Sequence, residues 1–207
     1  MFAEGLRFYV VPIVTKLTTQ KKGEFINLYV DEEFYCGLNL NQVAAWRLRK
    51  GMELSGEQLL QLRAEAQSSK AYNAAIRYLA LRIRSTQEIY DYLMRKGFDA
   101  AIDEILARLT HEGYLNDEDF ARSWAEMRRQ MLKSPRAIER ELVRKGISKD
   151  IIAATVSDEG VDSSIEQLIT KKNRHRTYDR EHMMRYLVGR GFTYSQIKPH
   201  LDKVYLD

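Results

Sequence analysis

Between Ala71 and the C-terminus, apolar residues fall four apart within short windows, and the windows themselves recur. The stretch Ser85–Phe98 has a counterpart 49 residues on, Ser134–Ile147, and another 45 further, Asp179–Phe192. Each opens on a residue whose side chain can accept the free N–H groups of a helix start: Ser85, Ser134, Asp179. Each then places an apolar pair one helical turn apart: Ile89 and Leu93, Ile138 and Leu142, Met183 and Leu187. Each closes on a cation and a glycine: Lys96-Gly97, Lys145-Gly146, Arg190-Gly191. Glycine takes the left-handed conformation past a last turn without a Cβ penalty, and a cation suits the carbonyl end of the helix dipole. Two residues after each glycine stands a further capping residue, Asp99, Ser148 or Thr193, the last with Gln196 as a capping box. Upstream lie helical stretches at Ala74–Arg82, Asp119–Met131 and Ser164–Lys171. The pattern predicts three tandem three-helix repeats, each burying its apolar face against its neighbours.

The first forty residues obey another period. Val10–Thr18 and Phe25–Val30 are rich in β-branched and aromatic residues, with polar Gln20–Glu24 between them, which predicts a β-hairpin. A further strand is expected through Phe34-Tyr35, then a short helix over Asn41–Arg49. Ser55 with Gln58 forms a capping box for a helix running to Ser68 or beyond. The expected divisions are 1–70 for this extension and 71–117, 118–162 and 163–207 for the repeats. The fold class is mainly α.

Hydrophobic residues make up 44% of the 207 and charged residues 30%, which suits a helical protein with a wet outer face. No run approaches the length needed to span a bilayer, and Met1–Val10 lacks the features of a secretory leader. Cys36 is alone, so no disulfide framework is possible, and it reads as a small buried residue. A cytoplasmic protein is expected, and few exposed apolar runs favour a monomer.

The net charge of +4 is mild, but its distribution is not. Arg122–Lys149 carries nine basic residues against three acids, and Lys171–Arg190 seven against two. Asp99–Asp119 carries seven acids against Arg108. Any one cluster is more often a solvated face, but recurrence in successive units makes a binding surface for a polyanion or an acidic protein an even alternative. Trp124, Tyr178, Tyr186 and Phe192 lie near the basic segments and read as core residues ahead of base-stacking platforms.

Nothing in the spacing asks for catalysis, a metal or a cofactor. His175 and His182 are seven apart, too far for one ion, and His111 and His200 have no partner at ligand spacing. No glycine-rich phosphate loop is present. Asp117, Glu118 and Asp119 follow Asn116, where acids complement a helix start.

The run Arg84-Ser85, Glu88-Ile89, Tyr92-Leu93, Arg95-Lys96-Gly97-Phe98 resembles the signature of the RecX family, bacterial regulators of the RecA recombinase. So does Leu109, Gly113-Tyr114-Leu115-Asn116-Asp117, Phe120-Ala121, and Ser134-Pro135 with Ile138, Glu141-Leu142 and Lys145-Gly146-Ile147 matches a second unit. The third copy is looser, with Gly189-Arg190 before its glycine and a polar insert from Lys171 to Tyr178. The resemblance implies an elongated, curved molecule of three-helix units, docking in the groove of the RecA filament on single-stranded DNA, inhibition of ATP hydrolysis and strand exchange, restraint of the SOS response, and some direct DNA contact. The residues expected to meet the partner are Arg128, Arg129, Lys133, Arg136, Arg140, Arg144, Lys171, Lys172, Arg174 and Arg176. Ser85, Ser134, Gly97, Gly146 and Gly191 are assigned to architecture. Two other readings stay open: a DNA-binding module without RecA contact, and a scaffold for a protein free of nucleic acid.

Overall fold

The structure, a computed structural model, describes residues 11–20 and 25–205. Met1–Val10, read above for a leader, and most of the polar hairpin turn lie outside the described residues. Among the described residues three strands precede ten α-helices: β1 Val14–Thr19, β2 Phe25–Val30, β3 Glu33–Asn39, α1 Leu40–Ala45, α2 Gly56–Leu79, α3 Thr86–Arg95, α4 Ile102–His111, α5 Asp117–Gln130, α6 Pro135–Arg144, α7 Lys149–Thr155, α8 Val161–Asn173, α9 Arg180–Gly189 and α10 Tyr194–Tyr205. The chain forms two compact units, one from 1–78 with 93–107 and the other from 79–92 with 108–207.

In the first unit the expected hairpin is a three-stranded antiparallel sheet in the order β1-β2-β3. The third strand is longer than Phe34-Tyr35 foretold. It was obscured because Asp31 and Glu32 make the tight β2–β3 turn with positive φ (48° and 70°), a conformation usually signalled by Asn-Gly. Leu28, Leu38 and Cys36 turn into a core completed by Leu54, Leu59, Leu62 and Ala66. Burial pushes the Cys36 thiol up from its ordinary pKa. Tyr35 donates to the Leu59 carbonyl (2.8 Å), and Trp46 donates to Glu65 (2.9 Å), tying sheet and α1 region to α2. The Ser55–Gln58 capping box is present. The two helical stretches expected on either side of residue 70 are one continuous helix of 24 residues. No Gly or Pro interrupts it after Gly56, and Ala66, Ala71, Ala74 and Ala75 keep its buried side helix-favouring.

The second unit carries two helical cores built alike. Phe120, Ala121, Ala125, Ile138, Leu142, Ile147 and Ile152 form one, and Val161, Ile165, Leu168, Met183, Leu187, Phe192, Ile197 and Leu201 belong to the other. The six stripe residues from Ile89 to Leu187 are all buried. Ser134, Ser148 and Asp179 cap their helices through side-chain oxygens, and Thr193 and Gln196 close their box. Asp99 does not cap: it opens a single 3₁₀ turn that leads into α4, with no side-chain cap at Phe98 before it. Asn116 caps α5 by accepting from Glu118 and Asp119. Asp117 also accepts from the Thr86 backbone N–H (2.8 Å), a tie between α5 and the start of α3 that no local pattern announced.

Candidate functional site

The equivalent helices α3, α6 and α9 meet end to start in the second unit. Ser85 Oγ receives the Glu88 N–H as a cap and donates to the carbonyl of Lys145, at the end of α6 (2.7 Å). Ser134 repeats both roles, receiving the Ala137 N–H and donating to the carbonyl of Arg190, at the end of α9 (3.0 Å). A hydroxyl can accept and donate together, so one buried serine satisfies a free N–H of its own helix and a free carbonyl of the next. Both serines are fully buried. The terminal glycines fit this approach. Gly146 has φ 76°, and a Cβ there would collide with the Gln87 side chain; Gly191 has φ 94°, and a Cβ would lie 2.6 Å from Ser134 Oγ. These glycines therefore serve close packing as well as left-handed turns.

The charges at the two junctions differ. At the first, Lys145 pairs with Glu88, which also takes Arg82 in two hydrogen bonds (2.9 and 3.0 Å). Burial pushes the Glu88 carboxyl up, but the hydrogen bonds from Arg82 and Lys145 outweigh it and hold its pKa at about 2. At the second junction the position matching Glu88, 49 residues on, is Ala137. Arg190 rests over the Tyr186 ring (5.5 Å) and donates to its hydroxyl (3.2 Å). Among the described residues no carboxylate pairs with Arg190, nor with Lys133, Arg136, Arg140 or Arg144.

These unneutralised cations share a groove. Arg136, Arg140 and Arg144 follow one another at four-residue steps, so they lie along one face of α6, and all are exposed. Lys133, Arg140, Arg144 and Arg190 line an open groove of about 660 Å³ between α6 and the end of α9, with Ala137, Val143, Gly189, Glu139 and Glu141. Arg136, Glu139 and Arg140 continue into an adjoining depression beside Val188, Gly191 and Phe192. Lys133 is delivered to the rim by Leu132, a left-handed non-glycine residue (φ 57°) whose side chain is buried in the last helical core. That burial offsets the steric cost of the conformation.

Other expected contact residues are placed differently. Arg128 donates to Glu141 (2.6 Å) and lies over the Trp124 ring (4.4 Å); Arg129 pairs with Glu126 and donates to the Thr155 carbonyl (3.1 Å). Both guanidinium groups hold the fold together. Lys172 and Arg176 lie over Tyr178 (4.6 and 5.4 Å), Lys172 also over Tyr186, while Lys171 and Arg174 are exposed. Phe192 is core, and Trp124, Tyr178 and Tyr186 are half-buried with cations over their rings. Arg190 was absent from the expected set, since its place after a helix reads as dipole chemistry; the alanine at 137 was the available signal.

Residues 12–55 match the RecX regulatory protein N-terminal domain, 71–109 the first RecX three-helix domain and 116–156 the second. The chain belongs to the RecX family. A regulatory protein RecX of Listeria monocytogenes serotype 4a (strain HCC23) is 34% identical over 156 residues, 74% of this chain and 58% of that protein. One from Bacillus velezensis is 31% identical over 204 residues, 93% of this chain and 78% of the relative. The chain thus spans little more than half the length of the Listeria relative. A RecX crystal structure matches 91% of this chain with a TM-score of 0.68 at 24% identity, which speaks for the fold. RecX from Lactobacillus salivarius matches 66% with a TM-score of 0.58 at 26% identity. No described helix is long and apolar enough to cross a membrane.

Proposed function

We propose that this RecX-family chain is a non-catalytic cytoplasmic regulator that binds RecA filaments on single-stranded DNA. Bound there, it restrains RecA ATP hydrolysis, strand exchange and coprotease activity, and so recombination and the SOS response. Membership of a family of regulatory proteins supports the reading. The observation that carries it is the second junction, where five cations line a groove and the depression adjoining it, and none of them is ion-paired to a carboxylate among the described residues. Uncompensated charge on a rigid helix face raises encounter rates with an oppositely charged partner and sets register on it. Lys171, Lys172, Arg174 and Arg176 extend the same reading to the end of α8 and the segment after it.

The test is suppression of RecA's DNA-dependent ATP hydrolysis by the purified protein. Reversing Arg136, Arg140 and Arg144 together to Glu should weaken inhibition by about a hundredfold, three exposed cations each contributing roughly 1 kcal/mol. Circular dichroism should be unchanged, because all three side chains are exposed. Inhibition by the triple variant equal to that of the wild type would contradict the reading. Steep salt-dependent binding to naked DNA, with no gain on filaments, would favour a plain DNA module.

A further inference from the structure

We infer that the groove between α6 and the end of α9 receives an acidic, partly apolar segment of a protein, not a nucleic-acid backbone. This deepens the reading above and rests on it for the partner, assigning the groove to the protein component of the filament. Two features of the lining separate the occupants. Val143 and Val188 occupy the same position in successive copies, 45 residues apart, and both stay exposed, at 60% and 50%. The first faces the larger groove and the second the adjoining depression. A single exposed valine is ordinary on any surface. Two at one repeat position, each among arginines, give an apolar anchor within a cationic frame, which a phosphate chain has no group to use.

Glu139 is the second feature. It lines both the groove and the depression beside Arg140 and has no ion pair among the described residues. A continuous run of phosphates would have to pass this carboxylate. A peptide need not, because its carboxylates are discrete and can fall on Arg140, Arg144 and Arg190 while an amide N–H or an apolar side chain faces Glu139. Charge complementarity with local apolar contact is how protein surfaces gain register and specificity together.

The experiment uses the full chain and a fluorescent synthetic peptide in which Asp-Glu pairs alternate with leucines, read by anisotropy. A second peptide replaces leucine with serine, and oligothymidylate of equal charge is the third probe. The leucine peptide should bind about tenfold more tightly than the serine peptide, as expected for partial burial of an apolar side chain. The double variant Val143→Ser/Val188→Ser should abolish that preference without altering oligothymidylate binding. Its fold is expected to persist, since exposed substitutions of this kind change stability little. Equal binding of the two peptides, or leucine-peptide binding indifferent to the double variant, overturns the inference. So does a groove occupied by oligothymidylate alone, with affinity lost on Arg140→Glu and no peptide binding. RecA ATPase measured on the same preparations separates the two proposals. Inhibition without peptide binding sinks only this one, and peptide binding without inhibition sinks only the RecA reading.

Discussion

The junctions between α3 and α6 and between α6 and α9 share one mechanical plan and differ in how their cations are paired. In both, a buried serine joins a helix start to the carbonyl end of the following copy, and a left-handed glycine lets the two backbones close. In the first, Glu88 pairs with the incoming Lys145; in the second, with Ala137 at the matching position, the incoming Arg190 has no carboxylate partner among the described residues, and Asp91 of the first copy is replaced by Arg140. Repeats thus separate the requirements of stacking, which recur, from those of binding, which need appear in only one copy. The contrast also locates the groove without appeal to total charge, because cationic residues are plentiful throughout the chain.

The shared mechanics of the two junctions are most sensitive at the glycines. Gly146→Ala should cost about 3 kcal/mol, combining a left-handed alanine with overlap against Gln87. Gly97→Ala has the same sign of φ but open space around the added methyl, so it should cost only about 1 kcal/mol. Urea unfolding of the two variants checks the difference, and equal losses would mean that the close approach at Gly146 carries no weight.

A smaller effect is expected at the charged half of the first junction. Glu88→Gln removes the negative charge shared by Arg82 and Lys145 and turns one of its two acceptor oxygens into a donor, and should cost about 1–2 kcal/mol at neutral pH. The folded pKa of Glu88, about 2, lies below its ordinary 4.5, so its contribution is complete above 4.5 and is lost as pH falls toward 2. The variant should lack that part of the acid-induced destabilisation, and the gap between the two proteins should close in this window. A constant gap down to pH 2 would show that Glu88 acts by packing alone.

Much of this was legible in the chain because its signals are local. Caps at Ser134, Ser148, Asp179 and Thr193, the paired stripe residues and the closing glycines all act within one or two turns, and all are found where expected. The errors arose where a local signal was weak or absent. Asp31-Glu32 makes a tight turn without glycine, Asp99 has the chemistry of a cap but sits inside a 3₁₀ turn, and the Ser68-Ser69 pair does not stop α2. At the surface, charge alone does not tell Arg140, lining a groove, from Arg128, paired with Glu141. That distinction depends on Glu141 lying 13 residues from Arg128 and folding back onto it. Arg190 is a case of the same kind: that no carboxylate among the described residues pairs with it goes with an alanine 53 residues earlier.

On the proposed function, the open junction acts because it lacks the acid its neighbour has. Ala137→Glu supplies that acid at the matching position without removing any cation. Its effect on inhibition of RecA's DNA-dependent ATP hydrolysis is the direct test. Inhibition should fall about tenfold, as one engaged cation of the groove is neutralised, with unfolding stability unchanged or slightly raised. Full inhibition by a folded Ala137→Glu protein would contradict it.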